Sequence, residues 1–273
     1  MGVEIFSLAG KTALVTGASR GMGAGLAVAM AEAGADVVVT ARSAGDLDVV
    51  AAAVEAAGRA ALAVPADVTV ASDVDRVVAA AIAKFGRIDI LVNNAGGPIF
   101  NAPFLDLRPD GWQRLIDLNL TSVATCCRAV GRHMVDRGSG SVINNGSPGV
   151  LRPWPAISAY SAAKAAVLNL TQVLAQEWGS SGVRVNMISP GWIRTDVNKA
   201  FTDNVSASTA ISDDIPLGRW GDVADVVGAA IWLASDAASY VTGTHIPIDG
   251  GLTSAVPEDW RSLRVRRDWQ VQA

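Results

Sequence analysis

Apolar positions along this chain fall in short runs separated by polar turns, and the runs alternate between two periods. Residues 12–16, Thr-Ala-Leu-Val-Thr, form a brief apolar stretch that ends at Gly17, and apolar residues three and four apart then predict a helix over 22–33. The alternation recurs: further strands are predicted over 36–41, 60–64, 88–93, 141–145, 183–188 and 245–248, and further helices over 46–57, 71–85, 110–137, 158–178 and 223–234. Runs rich in Val, Ile, Leu and Ala belong to strands buried on both faces, and helices between successive strands are crossover connections. The predicted fold class is therefore α/β, one doubly wound parallel sheet of about seven strands with helices on both faces, and residues 1–273 read as a single domain.

Two stretches break the rhythm. Residues 191–217 are rich in Ser, Thr, Asp and Asn, and a connection this long in a compact domain predicts a lid or substrate-binding loop. Beyond Asp249-Gly250-Gly251 the chain continues into a C-terminal extension, 255–273, with Trp260, Leu263, Val265 and Trp269 among four arginines. That much apolar surface predicts docking, across a subunit interface, in place of a frayed end.

Composition narrows the class. Half the residues are apolar and 18% are charged, ample for a core on both sides of a sheet. A net charge of −4 argues against a nucleic-acid partner, which requires a basic stripe. No uncharged apolar run reaches the roughly 18 residues of a membrane span and no signal-peptide pattern opens the chain, so no membrane association and a cytoplasmic location are expected. Cys126 and Cys127 are adjacent within a predicted helix and read as reduced packing residues. His133 and His245 lie far apart with no ligand-like cluster, so no metal site is expected.

Candidate chemistry begins at Thr16-Gly17-Ala18-Ser19-Arg20-Gly21-Met22-Gly23, where glycines between a strand and a helix allow a tight turn, close backbone approach to a pyrophosphate, and a helix N-terminus directed at phosphate. At the end of the second strand stands Ala41-Arg42-Ser43, with no acid to hold a ribose 2′-hydroxyl. Arg42 and Arg20 instead suit a 2′-phosphate, which makes NADP(H) the expected cofactor and NAD(H) the runner-up. Tyr160 and Lys164 are four apart and share one helical face. An ammonium near a phenol favours the phenolate, and a shift of about three units from the usual value near 10 would make Tyr160 a general acid/base at neutral pH. Ser147, thirteen residues upstream and just past a predicted strand, is with the glycine turn and the Tyr-Lys pair a third independent piece at a compatible place.

With these motifs in place, the chain from about residue 8 to 251 resembles the short-chain dehydrogenase/reductase family, whose fold is Rossmann-type. The resemblance implies further roles at matching positions. Gly17, Ser19, Gly21, Met22 and Gly23 would cradle the dinucleotide. Asp67 and Val68 would meet the adenine, and Asn93, Asn94, Ala95 and Gly96 would wall the adenine-ribose side and brace the sheet. Asn119 would hold a water in a proton relay, Ser147 would orient the substrate oxygen, and Tyr160 would transfer the proton. Lys164 would bind the nicotinamide ribose, and Pro190, Gly191, Ile193 and Thr195 would bound the nicotinamide. The resemblance also implies a homotetramer. Pro148 after Ser147 and the stiff loop Val150-Leu151-Arg152-Pro153-Trp154-Pro155 depart from the usual pattern. Leu151, Trp154 and Trp192, with Phe100 and Val197, are candidate pocket residues for a hydrophobic carbonyl or alcohol substrate. The activity expected is an NADP(H)-dependent oxidoreductase interconverting a secondary alcohol and a ketone. The alternatives are a non-catalytic NADP(H)-binding sensor and a 3-oxoacyl-carrier-protein reductase-like enzyme, the latter drawing on Arg128, Arg132 and Arg137.

Overall fold

The computed structural model describes residues 2–254, so the extension 255–273 and its predicted docking lie outside the described residues. Seven strands form one sheet: β1 (Thr12–Thr16), β2 (Asp36–Ala41), β3 (Ala61–Pro65), β4 (Ile90–Asn93), β5 (Gly140–Asn145), β6 (Val183–Pro190) and β7 (His245–Ile248). Their order is β3-β2-β1-β4-β5-β6-β7 and every pair is parallel. This is the predicted doubly wound arrangement.

Alternate strand residues divide between two cores, as a period of two requires. Ala13, Val15, Val37 and Val39 pack under α1 (Gly21–Glu32), α2 (Ala44–Ala56) and α9 (Val223–Ala234). Leu14, Val38, Leu91 and Val142 pack under α3 (Ala71–Phe85), α5 (Ser122–Arg137) and α6 (Ser158–Trp178). Cys126 and Cys127 lie in the second core, and burial pushes both thiols up to about 12, consistent with inert packing groups.

The predicted helix 110–137 is interrupted. It runs as α4 (Pro109–Ile116), a π-helical stretch (Asp117–Thr121) and then α5. At the widened turn, buried Asn119 donates to Leu115 C=O at 3.0 Å and to Gly97 C=O at 3.1 Å, and accepts from Gly97 N–H at 2.8 Å. A side chain bonded into the ladder and across to the neighbouring loop is a recognised cause of such a bulge. The predicted loop 191–217 is not irregular throughout, for it contains α7 (Lys199–Thr202) and α8 (Val205–Asp214). Trp220, 1% exposed, anchors α8 by donating from Nε1 to Ser208 C=O at 3.2 Å. Among the described residues, no helix is long and apolar enough to cross a membrane.

At the opposite end of the sheet Asp89 is 5% exposed and binds Thr12 N–H at 2.9 Å, the Arg87 guanidinium, and Arg137 at 3.2 Å. Burial alone would raise its pKa, but the Arg87 hydrogen bond, the Thr12 N–H and the Arg137 guanidinium outweigh it and hold the carboxyl below its ordinary value. Its stabilising contribution is therefore complete above the unfolded pKa of about 3.9 and lost as pH falls through the lower folded value. Asp89→Asn is expected to cost about 2 kcal/mol at pH 7, and urea melts should show its gap from wild type narrowing toward pH 3.

Candidate active site

Strand order reverses between β1 and β4, which opens a crevice at the carboxyl ends of the strands. Gly17 leaves β1 at φ +63°, and a Cβ there would stand 2.8 Å from Ala95 Cα. A Cβ on Gly23 would stand 2.2 Å from Gly17 C=O. The glycines thus allow the turn after β1 to lie directly against the end of β4. Asn94 staples this contact, donating from Nδ2 to Thr16 C=O at 3.0 Å and Gly17 C=O at 3.2 Å, while the Asn94 and Ala95 N–H groups both bond Thr16 Oγ1 at 3.0 Å. Arg20 caps α1 in an extended conformation with no side-chain cap. A glycine-lined cradle beneath first-turn N–H groups that no side chain among the described residues caps fits a dinucleotide pyrophosphate.

The other predicted cofactor positions converge on this crevice to different degrees. Thr195 approaches within 3.6 Å of the space a Gly21 Cβ would fill, so the segment after β6 reaches over the glycine turn. Ser19 and Met22 are half-buried there. Arg20 and Arg42 are both exposed and follow the adjacent strands β1 and β2. Asp67 Oδ1 is engaged by Thr69 N–H at 2.9 Å and Thr69 Oγ1 at 2.7 Å, and Val68 is buried in the core beneath it. Pro190 ends β6, a Cβ on Gly191 would meet Asp249 Cα at 2.8 Å, and Ile193 bridges to Gly221.

The predicted catalytic residues come from the π-helical stretch, the end of β5 and the first turns of α6. Ser147, 7% exposed, accepts from Gly149 N–H at 3.1 Å. Tyr160 is half-buried beside it. Lys164 is 2% exposed and donates to Asn145 C=O at 2.7 Å. A Cβ on Gly96 would meet Asn119 Oδ1 at 2.7 Å and Lys164 Nζ at 3.3 Å, so a glycine is needed where both side chains flank that loop. The loop between Ser147 and Tyr160 also contains Ala156 at φ +66°, a left-handed conformation that costs a non-glycine residue about 1 kcal/mol.

The expected lowering of the Tyr160 pKa by Lys164 is not met in this geometry. Burial raises the phenol, the Ser147 hydroxyl pulls it back only partly, and Lys164 Nζ lies 5.7 Å from the ring centroid with its hydrogen bond directed to Asn145. Burial also lowers Lys164 from 10.5 to about 8. Trp192, expected to line the pocket, stacks edge-to-face on Phe201 at 5.4 Å and Trp220 at 5.5 Å, within the base of the 191–217 segment. Phe100 packs toward α4, where a Cβ on Gly111 would meet it at 2.8 Å. Leu151 and Val197 are exposed and Trp154 is half-buried, its ring 3.8 Å from the space above Gly149. Asn145 was not among the expected site residues, although consecutive asparagines closing an apolar strand were a visible signal.

A nucleotide-fitting cradle joined to buried Ser147 and Lys164 and half-buried Tyr160 defines a dinucleotide-dependent α/β enzyme class. The family model described as Enoyl-(Acyl carrier protein) reductase matches residues 17–253. A 2-dehydro-3-deoxy-D-gluconate 5-dehydrogenase from Pseudoalteromonas atlantica is 42% identical over 91% of this chain and 98% of its own. The 3beta-hydroxysteroid dehydrogenase 1 of Eggerthella lenta is 44% identical over 90% and 95%. A crystal structure of gluconate 5-dehydrogenase from Burkholderia cenocepacia, in complex with NADP and tartrate, superposes with a TM-score of 0.89 at 40% identity, covering 93% of this chain and 99% of that one. The chain belongs to the short-chain dehydrogenase/reductase family. It is an NAD(P)-dependent oxidoreductase acting between alcohol and carbonyl.

A lysine whose folded pKa is about 8 binds fewer protons than its unfolded counterpart between that value and 10.5. Burying it therefore costs stability below about pH 8, and the cost fades as pH rises to the unfolded value. Lys164→Met is expected to stabilise the ligand-free protein by about 2 kcal/mol at pH 7, after allowing for the lost hydrogen bond, and by much less at pH 10. Urea melts at the two pH values measure this, and a variant less stable than wild type at pH 7 would refute it.

Proposed function

We propose that this chain interconverts a secondary alcohol and a ketone with NADP(H), and that Tyr160 is the group that carries the proton. The observation that carries this reading is the meeting of Ser147, Tyr160 and Lys164 at the mouth of the glycine-lined crevice. The dinucleotide supplies or accepts the hydride when bound. Ser147 donates a hydrogen bond to the substrate oxygen and fixes its position against the Tyr160 phenol. Tyr160 gives its proton to that oxygen in reduction and takes it back in oxidation. Burial disfavours the phenolate, so the phenol carries the proton that reduction requires, and the Ser147 hydroxyl and the Lys164 charge oppose that burial as the proton leaves. Lys164 holds the ribose hydroxyls, and its charge favours the phenolate when the proton leaves. Asn119, bonded to both backbone groups of Gly97, positions the loop beside Lys164 and holds the relay water.

In this reading Gly17, Ser19, Arg20, Gly21, Met22 and Gly23 bind the phosphates, with Arg20 and Arg42 on the 2′-phosphate. Asp67, Val68, Asn94, Ala95 and Gly96 border the adenosine, and Pro190, Gly191, Ile193 and Thr195 border the nicotinamide. Leu151 and Trp154 meet the substrate, while Trp192 shapes the pocket from the base of the lid formed by 191–217. One catalytic domain working as a cytoplasmic homotetramer completes the proposal. The tetramer is supported by family resemblance, and the location by dependence on a recycled charged cofactor. A non-catalytic sensor would not need Ser147, Tyr160 and Lys164 together.

Tyr160→Phe is expected to lower kcat by about 100-fold or more while NADPH affinity, read by fluorescence titration, stays nearly unchanged. Retention of more than about a tenth of the activity would overturn the assignment. The wild type should show higher kcat/KM with NADP(H) than with NAD(H), and Ala41→Asp should shift that ratio toward NAD(H) by repelling the 2′-phosphate. Equal use of both cofactors by wild type would remove the role given to Arg20 and Arg42.

A further inference from the structure

The three segments that leave the carboxyl ends of β4, β5 and β6 are fastened to one another. Ala102 N–H donates to Ala156 C=O at 2.9 Å, joining the first to the second. Arg152 joins the second to the third: its Nη1 lies 2.9 Å from Asp214 Oδ2, and its Nη2 donates to Asp214 Oδ1 at 3.1 Å. Nη1 also donates to Leu252 C=O at 3.2 Å, and the guanidinium lies 6.0 Å from the Trp154 ring centroid. Trp154 in turn packs over Gly149, whose N–H is bonded to the Ser147 hydroxyl. Arg152 is thus linked by a short chain of contacts to the residue that holds the substrate oxygen.

A guanidinium offers two parallel N–H donors, the geometry that best recognises a carboxylate, and such charge-assisted pairs are the strong ones. In this protein that fork is already filled, by both oxygens of Asp214. The other cations on the same segments, Arg108, Arg194, Lys199 and Arg219, each stand 2.7–3.9 Å from an aspartate of their own. Apolar side chains, by contrast, are displayed on all three: Leu105 is 95% exposed, Leu151 53% and Leu217 68%. These three segments have the positive charge of Arg108, Arg152, Arg194, Lys199 and Arg219 paired with aspartates and their apolar surface open.

We propose that Asp214 is a specificity-determining residue: by occupying the Arg152 fork it denies that fork to a substrate carboxylate, so the site selects uncharged aliphatic or alicyclic ketones and alcohols over their carboxylate-bearing analogues. This rests on the alcohol–ketone reading above and adds to it the charge class of the substrate and the side chain that sets it. The pair also ties α8 to the loop that carries Trp154, so selectivity and the seating of the 191–217 segment are set by one contact.

A matched pair of ligands isolates the charge: 4-hydroxycyclohexanecarboxylate and its methyl ester, each titrated calorimetrically into the NADP⁺-loaded protein and each assayed for NADP⁺ reduction. The wild type is expected to bind the ester about tenfold more tightly than the acid. Asp214→Asn, which keeps size and shape, should bring the two affinities to parity or reverse them. Arg152→Met combined with Asp214→Asn should restore the ester preference, since the freed guanidinium is then gone. Equal binding of acid and ester by wild type, or an Asp214→Asn ratio unchanged from wild type, would overturn the proposal. Selective binding without turnover of either ligand would leave the selectivity standing and count against the proposed reaction.

Discussion

A buried ammonium with no anionic partner among the described residues is the constraint around which the site is assembled. Lys164 is 2% exposed, and among the described residues its one hydrogen bond goes to a neutral carbonyl, that of Asn145. Desolvation alone accounts for its lowered pKa. Such a group is tolerated only if a dipole is brought to it in place of the water it has lost, and three elements enclose it. The end of β5 supplies the carbonyl, the loop after β4 comes so close that Gly96 can carry no side chain, and the π-helical stretch sets Asn119 on the other side of that loop. A preorganised polar pocket that stabilises charge poorly in the resting protein has the most to gain when a ligand arrives.

Beneath this pocket the relative placement of β4, β5 and α6 is held by a buried polar ladder. Asn93 donates to Asn144 at 2.8 Å, Asn144 donates to Thr171 at 2.9 Å, and Thr171 donates back to Val167 C=O within α6 at 2.8 Å. All three side chains are essentially inaccessible to water, so each lost bond would strand a polar group. The ladder adjoins Asn94 and Asn145 in sequence and couples the helix of Tyr160 and Lys164 to the strands that wall the crevice.

The sheet was legible because its strands are written in runs such as Val37-Val38-Val39, and because a period of two sorted those residues onto opposite cores. The glycine turn and the Tyr-Lys spacing were legible for the same local reason. Long-range choices were not. Spacing placed Lys164 on the face of Tyr160, but the amine follows the Asn145 carbonyl on another element, and burial then raised the phenol where a lowering was expected. The helix Val205–Asp214 escaped detection because Ser, Thr and Asp dominate it and Val205 and Ile211 are its only large apolar side chains. It is held instead by tertiary partners, Trp220 at Ser208 and Arg152 at Asp214. Trp192 looked like a pocket residue for its size, yet two other aromatics claim it.

The widened turn at Asp117–Thr121 has a consequence for how this region tolerates change in length. Leu115 and Val123, both buried, are eight residues apart, which in an unbroken α-helix would set them about 80° out of phase. The extra residue taken up by the wide turn brings them back to one face, so the two halves of the helix lean on the protein with a single side. Removing one residue from this stretch would let an ordinary α-helix close up with Leu115 and Val123 seven residues apart, within about 20° of one face, so the buried side chains from Val123 to Met134 would keep to the sheet; closing the turn at its present length would instead swing them by about 80°. The bulge therefore works as a phase corrector: it absorbs the one residue by which the spacing of Leu115 and Val123 exceeds two α-helical turns, so the wide turn and that extra residue must be kept or lost together.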